Sequence, residues 1–238
     1  MRYVYGPVKS RRLGNSLGIS TVPYKTCPFD CVYCQLNRTV AKTVRRRRYV
    51  EERSILAELR SFWRRRPAGT RIDCVTFSGS GEPTLHAGLG RLIREAKKIT
   101  GLPVAVLTNA ALLTDGRLRR DLKDADIVVP SLDAVTQEVF EKIDRPLPGL
   151  RIEAIIEALV RFREEFAGAL WLEVMLVRGM NDAPAYVKQM KRVIGRIRPD
   201  KIHLNSPVRP PVHRWVKPAT RPALREACRI LGPSCTVV

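Results

Sequence analysis

The sequence predicts an α/β fold, a single domain built as a partial (β/α)6, TIM-like barrel around a parallel sheet. Three observations predict it. Six strand-like apolar runs recur along the 238 residues, each followed by a helix-like stretch. Several of these runs, such as Ile127-Val128-Val129, are continuously apolar, the pattern of parallel strands buried on both faces. The helical stretches carry apolar residues at i, i+3, i+4 and i+7, most plainly in Ile152-Ile155-Ile156-Leu159-Val160. With 45% hydrophobic residues the chain can bury a sizeable core.

Taken in order, residues 1–16 read as an N-terminal extension and Leu17–Val22 as the first strand. A cysteine-containing loop follows, then a helix over Glu51–Arg66 and a strand over Cys74–Ser78. The alternation continues with a helix at Leu89–Ile99, a strand at Val104–Thr108, a helix at Leu113–Leu122 and a strand at Ile127–Leu132. Helices at Thr136–Lys142 and Arg151–Phe166 precede a strand at Leu170–Val177, a helix at Ala185–Ile197 and a last strand at Lys201–Asn205. Residues 207–238 read as a C-terminal tail with a helix. Chemistry in such barrels sits at the C-terminal ends of the strands. Those ends are polar or glycine-rich here: Gly79-Ser80-Gly81-Glu82-Pro83, Asn109, Ser131 with Asp133, Gly179 with Asn181-Asp182, and Asn205-Ser206-Pro207. Turn and cap chemistry accounts for any one of them; their joint presence beside a cysteine motif points to a site.

The 43 Lys and Arg against 23 Asp and Glu leave a formal charge of +20. Such a surface favours polyanions such as RNA through counterion release and steering, although an Arg-rich or thermally adapted proteome has the same composition. Arg2, Lys9, Arg11 and Arg12 are followed by no long apolar run, and no stretch approaches a membrane span. The expectation is a cytoplasmic protein with no membrane partner, in a reducing compartment where clustered cysteines bind metal more often than they pair.

Cys27-Pro28-Phe29-Asp30-Cys31-Val32-Tyr33-Cys34 spaces its cysteines as C-x3-C-x2-C just after the first strand. Iron–sulfur cubes are held by thiolates, normally four. Three on one loop leave one iron open to a substrate or cofactor. A zinc site uses four ligands in paired knuckles, and His86, His203 and His213 are remote in sequence. The motif therefore reads as a [4Fe–4S] site on Cys27, Cys31 and Cys34.

This spacing, with aromatic Tyr33 before the last cysteine, resembles the signature of the radical S-adenosylmethionine (SAM) superfamily, and Gly79-Ser80-Gly81-Glu82 resembles that superfamily's GGE motif. Tyr5–Gly14, Ser78–His86 and Asn205–Pro211 are similar to one branch, the small Fe–S oxidoreductases grouped with archaeal tRNA wyosine-base synthases. The resemblance implies a cluster whose fourth iron is chelated by SAM, reductive cleavage of SAM, and an electron donor such as flavodoxin or ferredoxin. It implies SAM contacts from Gly79, Ser80, Gly81 and Glu82 along the methionine, Ser131 and Asp133 at the ribose, Asn109 nearby, and Tyr33 and the backbone near Leu204 at the adenine. Arg178 is a candidate for the SAM carboxylate. The wyosine synthases carry an extra upstream cysteine set, and here no cysteine precedes Cys27. Cys74 reads as a core residue, and Cys228 and Cys235 as inert thiols or a small redox or ligand pair.

Basic runs at Arg45–Arg48 and Trp63-Arg64-Arg65-Arg66 suit a solvated surface, the second also a helix C-terminus. Lys9, Arg11 and Arg12, and the group Arg209, His213, Arg214, Trp215 and Lys217, flank strand ends expected to border the active face; basic groups interleaved with aromatics suit phosphate contact and base stacking. The sequence thus reads as a radical SAM enzyme with tRNA as its expected partner. A glycyl-radical-type activase or a peptide- or protein-modifying enzyme is the alternative, and a bare Fe–S carrier would need no SAM pocket. Oligomeric state is left open by the sequence.

Overall fold

The computed structural model describes residues 2–238. Ten strands and seven α-helices follow one another: β1 (Val4–Ser10), β2 (Gly14–Ile19), β3 (Thr26–Cys27), β4 (Ala41–Lys42), α1 (Glu52–Arg65), β5 (Cys74–Phe77), α2 (Leu89–Thr100), β6 (Val104–Thr108), α3 (Gly116–Leu122), β7 (Ile127–Pro130), α4 (Gln137–Ile143), α5 (Ile152–Glu165), β8 (Ala169–Met175), α6 (Pro184–Ile197), β9 (Lys201–Asn205), α7 (Arg221–Leu231) and β10 (Cys235–Val237). A short 3₁₀ turn occupies Pro83–Leu85.

Eight strands form one sheet in the order β1-β2-β5-β6-β7-β8-β9-β10. From β2 to β10 every neighbour is parallel, and β1 is antiparallel to β2. The six central strands are the predicted barrel strands. β3 and β4 pair separately as a small flap that carries the first cysteine.

The helices cover the outside of the sheet. Leu92, Ile93, Ile55, Leu59, Leu159 and Phe162 are fully buried between helices and strands, each such side chain worth roughly 1.5–3 kcal/mol of transfer free energy. The inner face is different. Ser16, Gly18, Thr76, Leu107, Glu173, Met175 and Asn205 line a cavity of about 690 Å³. A full barrel fills this space with branched side chains; here Ser16, Gly18, Thr76, Glu173 and Asn205 take several of those positions and the space is open.

Three boundaries differ from the sequence expectation. The first strand begins at Gly14 and ends at Ile19 rather than running over Leu17–Val22, because its ladder with β5 starts at Ser16↔Cys74 and the amide of Ser78 bonds the Ile19 carbonyl where the chain turns away. Residues 1–16, read as an extension, hold β1 and the start of β2. β1 carries no apolar alternation, since most of it is exposed; its start is held by the Glu58 carboxylate of α1, which accepts the amides of Arg2, Tyr3 and Val4. The C-terminal segment, read as a tail with a helix, adds β10 as a parallel edge strand on β9, with Cys235↔Ile202 and Val237↔Leu204 in register.

Candidate active site

The cysteine loop is fastened at both ends. On one side the amides of Asp30 and Val32 bond the carbonyls of Asp144 and Ile143 at the end of α4 (both within 3.0 Å), and Phe29 bridges Pro146. The Asp30 carboxylate accepts the Thr39 amide (2.6 Å), and the Thr39 hydroxyl donates to the Phe29 carbonyl (2.6 Å). On the other side lies the glycine-rich loop after β5. The Lys25 amide donates to the Ser80 carbonyl (2.5 Å) and the Glu82 amide to the Thr26 carbonyl (3.0 Å). Gly81 is required at this junction: a Cβ there would run into the Thr26 carbonyl oxygen, well inside contact distance, and into Val22. Gly79 adopts φ +105°, a conformation that favours glycine.

Glu82 is buried, and every one of its contacts is internal. One carboxylate oxygen accepts the Thr84 amide (3.1 Å), the Thr84 hydroxyl (2.6 Å) and the Thr108 hydroxyl (2.7 Å), and the other accepts the Asn109 amide (2.8 Å). Burial raises its pKa and these bonds oppose the rise. Glu82 thereby ties the ends of β5 and β6 together. Asn109 continues the chain of contacts, its Nδ2 donating to the Cys27 sulfur (3.3 Å).

The other sulfurs are also addressed. Lys25 Nζ donates to Cys34 Sγ (3.0 Å), the Phe29 amide to Cys27 Sγ (3.4 Å), and the Cys31 thiol donates to Asp144 Oδ1 (3.4 Å). Lys25 is buried, and among the described residues it meets no carboxylate. Burial, with Glu82 adding to it, pushes the Cys27 thiol up to about 12. Burial, then the Asp144 carboxylate, raises Cys31 well above the usual thiol range. The loop alone therefore holds these two cysteines as neutral thiols, and a metal must displace their protons.

At the ends of β7 and β8, Tyr33 Oη donates to Asp133 Oδ2. Asp133 Oδ1 accepts the Met175 amide (2.8 Å). Ser131 extends the pairing by bridging Glu173 of β8. Tyr33, Asn109, Ser131, Asp133 and Asp144 all line one small cavity of about 20 Å³. Burial drives Asp133 up to about 7 and Asp144 well above the carboxylate range. The fully buried Asn181 holds this corner: its amide nitrogen donates to the carbonyls of Asp133 and Met175 (2.8 Å each), and its oxygen accepts the Val177 amide (2.8 Å).

The expected residues thus fall into groups. Cys27, Cys31 and Cys34 share one loop, Gly79–Glu82 abut it, and Tyr33, Asn109, Ser131 and Asp133 surround the small cavity beside it. Leu204 lies apart, its side chain inside the core and its carbonyl accepting the Val238 amide (3.0 Å). Arg178 bonds the Pro218 carbonyl through Nε (3.0 Å) and is exposed, so its guanidinium is engaged away from the cysteine loop. Cys74 is buried in β5, and Cys228 on α7 donates to the Cys235 carbonyl (3.2 Å) at the far edge of the sheet.

Sequence reasoning missed four contributors. Lys25 and Asp144 carry no local signal, since only the folded loop brings them to sulfur. Glu173 does carry one, an acid inside the apolar run Leu170–Val177. Its carboxylate pairs with Arg12 from the turn after β1 and accepts Asn205 Nδ2 (3.2 Å), while Arg11 donates to Asn205 Oδ1 (3.3 Å). Lys9, Arg11, Arg12 and Arg209 line the 690 Å³ cavity together with Gly79 and Ser80, and Glu173 is its one acidic wall residue. Tyr5, the fourth, lies over Gly18 on this wall, its hydroxyl 2.7 Å from that of Ser78.

A family model described as the radical SAM superfamily matches residues 21–187, from just before the cysteine loop to α6. The chain belongs to the radical SAM superfamily. It is similar to a protein of Brachyspira hyodysenteriae named GTPase Obg, 36% identical over 98% of this chain and 34% of that protein. It is also similar to a UPF0026 protein of Synechocystis sp., 37% identical over 87% of this chain and 76% of that one. The chain therefore spans about a third of the first relative and three quarters of the second. Among solved structures, a radical SAM methyltransferase from Sphaerobacter thermophilus superposes with a TM-score of 0.73, at 20% identity over 94% of this chain and 65% of that chain, a likeness of fold. A [4Fe–4S] cluster and SAM are the cofactors of that superfamily.

The residues of the loop fit that cofactor pair. Hydrogen-bond donors and a buried ammonium point at two of the three sulfurs, the environment an anionic cluster needs.

Two expectations follow from this geometry. Gly81→Ala pushes the two loops apart and costs ~1–3 kcal/mol of stability; thermal unfolding and iron retained after anaerobic reconstitution check it, and a variant that holds its iron as firmly as the wild type contradicts it. The raised carboxyl groups set a pH dependence. The native state keeps protons on Asp133 and Asp144 that the unfolded chain releases above its ordinary carboxylate pKa, so stability falls as pH rises from ~4 through ~7 and beyond, with a slope of at most about 1.4 kcal/mol per pH step of one for each carboxyl group. Melting of the cofactor-free protein should be higher at pH 5 than at pH 8, with the difference reduced in Asp133→Asn.

Proposed function

We propose that Cys27, Cys31 and Cys34 ligate the cluster, that SAM lies against Gly79–Gly81 and the corner formed by Tyr33, Ser131 and Asp133, and that the substrate is tRNA, entering the barrel cavity as a nucleotide. One observation carries the substrate reading: the cavity of about 690 Å³ reaches the Gly79-Ser80 loop with four cations on its wall against one carboxylate. Arg12 is matched by Glu173. Arg11 and Arg209 are instead held by the neutral amides of Asn205 and Gln35 (3.3 and 3.0 Å), and among the described residues neither they nor Lys9 meets a carboxylate. Their charge stays available to a phosphate, and the formal +20 of the whole chain extends the same attraction outward.

When bound, the cluster and SAM supply reductive cleavage to methionine and a 5′-deoxyadenosyl radical that abstracts a substrate hydrogen. The chain's own residues bind and orient. Lys25, Asn109 and the Phe29 amide neutralise and direct the sulfurs, with Glu82 fixing Asn109. The cavity wall, part of it the β1–β2 hairpin, offers charge for the substrate. A small flavodoxin- or ferredoxin-type protein provides the electron. None of the described helices is long and apolar enough to cross a membrane, and the working place of the reading is the cytoplasm.

Anaerobically reconstituted protein should carry close to four irons per chain and release 5′-deoxyadenosine on strong reduction; the Cys27, Cys31 and Cys34 triple Ala variant should do neither. One tightly bound zinc in a colourless protein defeats the assignment.

The partner is checked by salt. With ~4 to 6 phosphate contacts, a fourfold rise in salt weakens tRNA binding ~10²- to 10³-fold. Arg11→Gln with Arg209→Gln should lower the slope by ~0.9 for each phosphate no longer neutralised, whereas changing Arg64 and Arg65, at the C-terminal end of α1, should leave the modification of a given nucleotide in place. If tRNA from a deletion strain carries every nucleoside of the parent, and a peptide or partner protein accelerates SAM turnover, the activase reading replaces this one.

A further inference from the structure

The segment after β9 returns across the cysteine loop. Val216 is buried in a small core with Val32, Ile143, Met175 and Val177, against which Tyr33 packs. The Val212 amide donates to the Cys34 carbonyl (3.3 Å). The strip between these two anchors is therefore seated on the residues that flank the cysteines. It presents Trp215, which is 54% exposed, an unusual placement for an indole in a chain with three tryptophans. His213 stacks on Trp215 with ring centroids 5.5 Å apart and planes 29° from parallel. Arg145, one residue beyond the Asp144 that accepts the Cys31 thiol, donates to His213 Nε2 (2.8 Å), and its guanidinium lies 6.0 Å from the Trp215 ring.

We propose that Trp215, His213 and Arg145 form a base-stacking platform for single-stranded RNA at the edge of the active face. This rests on the nucleic-acid reading above and adds where an unpaired base is gripped. Three features select RNA over an apolar partner. The aromatic surface is a pair of near-parallel rings with a guanidinium beside them rather than an aliphatic patch, the arrangement that stacks bases and adds cation–π contact. Its surroundings are cationic: Arg38, Arg209, Arg214 and Lys217 are exposed, and none of them is in an ion pair among the described residues. The acid near His213, Asp30, is already engaged by the Thr39 amide. The platform also shares the Arg209 segment with the cavity wall, so a strand stacked on Trp215 has its next phosphates beside cations that line the cavity.

The test uses the reconstituted full chain and two labelled single-stranded RNA oligonucleotides of equal length and charge, one normal and one with abasic spacers in its centre. Stacking on one aromatic residue is worth ~1–3 kcal/mol per base, about 5- to 150-fold in Kd. Trp215→Ala should weaken binding of the normal strand by that range, Trp215→Phe should restore most of it, and the abasic strand should bind wild type and Trp215→Ala alike. The normal strand should also quench a fluorescence component that Trp215→Phe lacks. Iron content and circular dichroism of each variant report whether the fold is kept. If Trp215→Ala binds the normal strand as tightly as wild type, and abasic and normal strands are equal for both, the platform is overturned while salt-dependent RNA binding through the cavity cations stands. If the wild type binds neither strand at low salt, the platform and the nucleic-acid reading fall together.

Discussion

The site depends on one close approach between two loops. The chain before Cys27 and the glycine-rich loop after β5 meet through Lys25–Ser80 and Glu82–Thr26 backbone bonds with the Gly81 Cα at the contact. Nothing larger than a hydrogen fits between them. This junction sets the first cysteine against the end of β5, and from there Glu82 passes the constraint to Asn109 and back to the Cys27 sulfur. The circuit joins the two loops backbone to backbone and holds its one long side chain, Glu82, by four hydrogen bonds. Its rigidity lets a loop of otherwise irregular structure present three thiols in fixed positions.

The six parallel strands and six of the helices were legible because each buries an apolar stripe with a clear period, and the two ends of the chain were not. β1 is mostly exposed and held by Glu58 and by pairing with β2, so its sequence carries no pattern of alternation. β10 has only three residues, paired along one edge. The cysteine spacing and Gly79–Glu82 were legible because covalent and steric demands restrict residue type at fixed positions. Lys25 was not, because its role comes from the turn that folds it back onto Cys34, where it adopts φ +53°. Glu82 was read as part of the segment that contacts a cofactor; the bonds of its carboxylate to Thr84, Thr108 and Asn109 were not legible, because they depend on a neighbouring strand end no local motif specifies.

The inner face of the sheet shows a second trade. A closed barrel gains stability from packed branched residues inside; this one sets Glu173, Asn205, Thr76 and Ser16 there. Burying a carboxylate is tolerated because Arg12 reaches it from the β1–β2 turn and Asn205 donates to it. The ion pair adds little net stability once desolvation is counted. It does carry the hairpin across the open side of the sheet, from the β2 edge to β8 and β9, and so bounds the cavity laterally. The cationic wall is thus built from a part of the chain that the barrel itself does not need.

Charge in the site is organised by burial as much as by pairing. Cys27, Cys31, Asp133 and Asp144 all sit where desolvation disfavours their anions, and the last three act on one another. At neutral pH Cys27, Cys31 and Asp144 hold their protons, because anions in this buried corner are poorly solvated and repel one another, whereas Asp133, at about 7, is close to its midpoint. A bound cluster would need these thiols as thiolates, and the ammonium of Lys25, already 3.0 Å from Cys34 Sγ, would stand as a counter-charge to that anionic assembly. The same burial that keeps these thiols neutral would strengthen every interaction with a charged group bound among them.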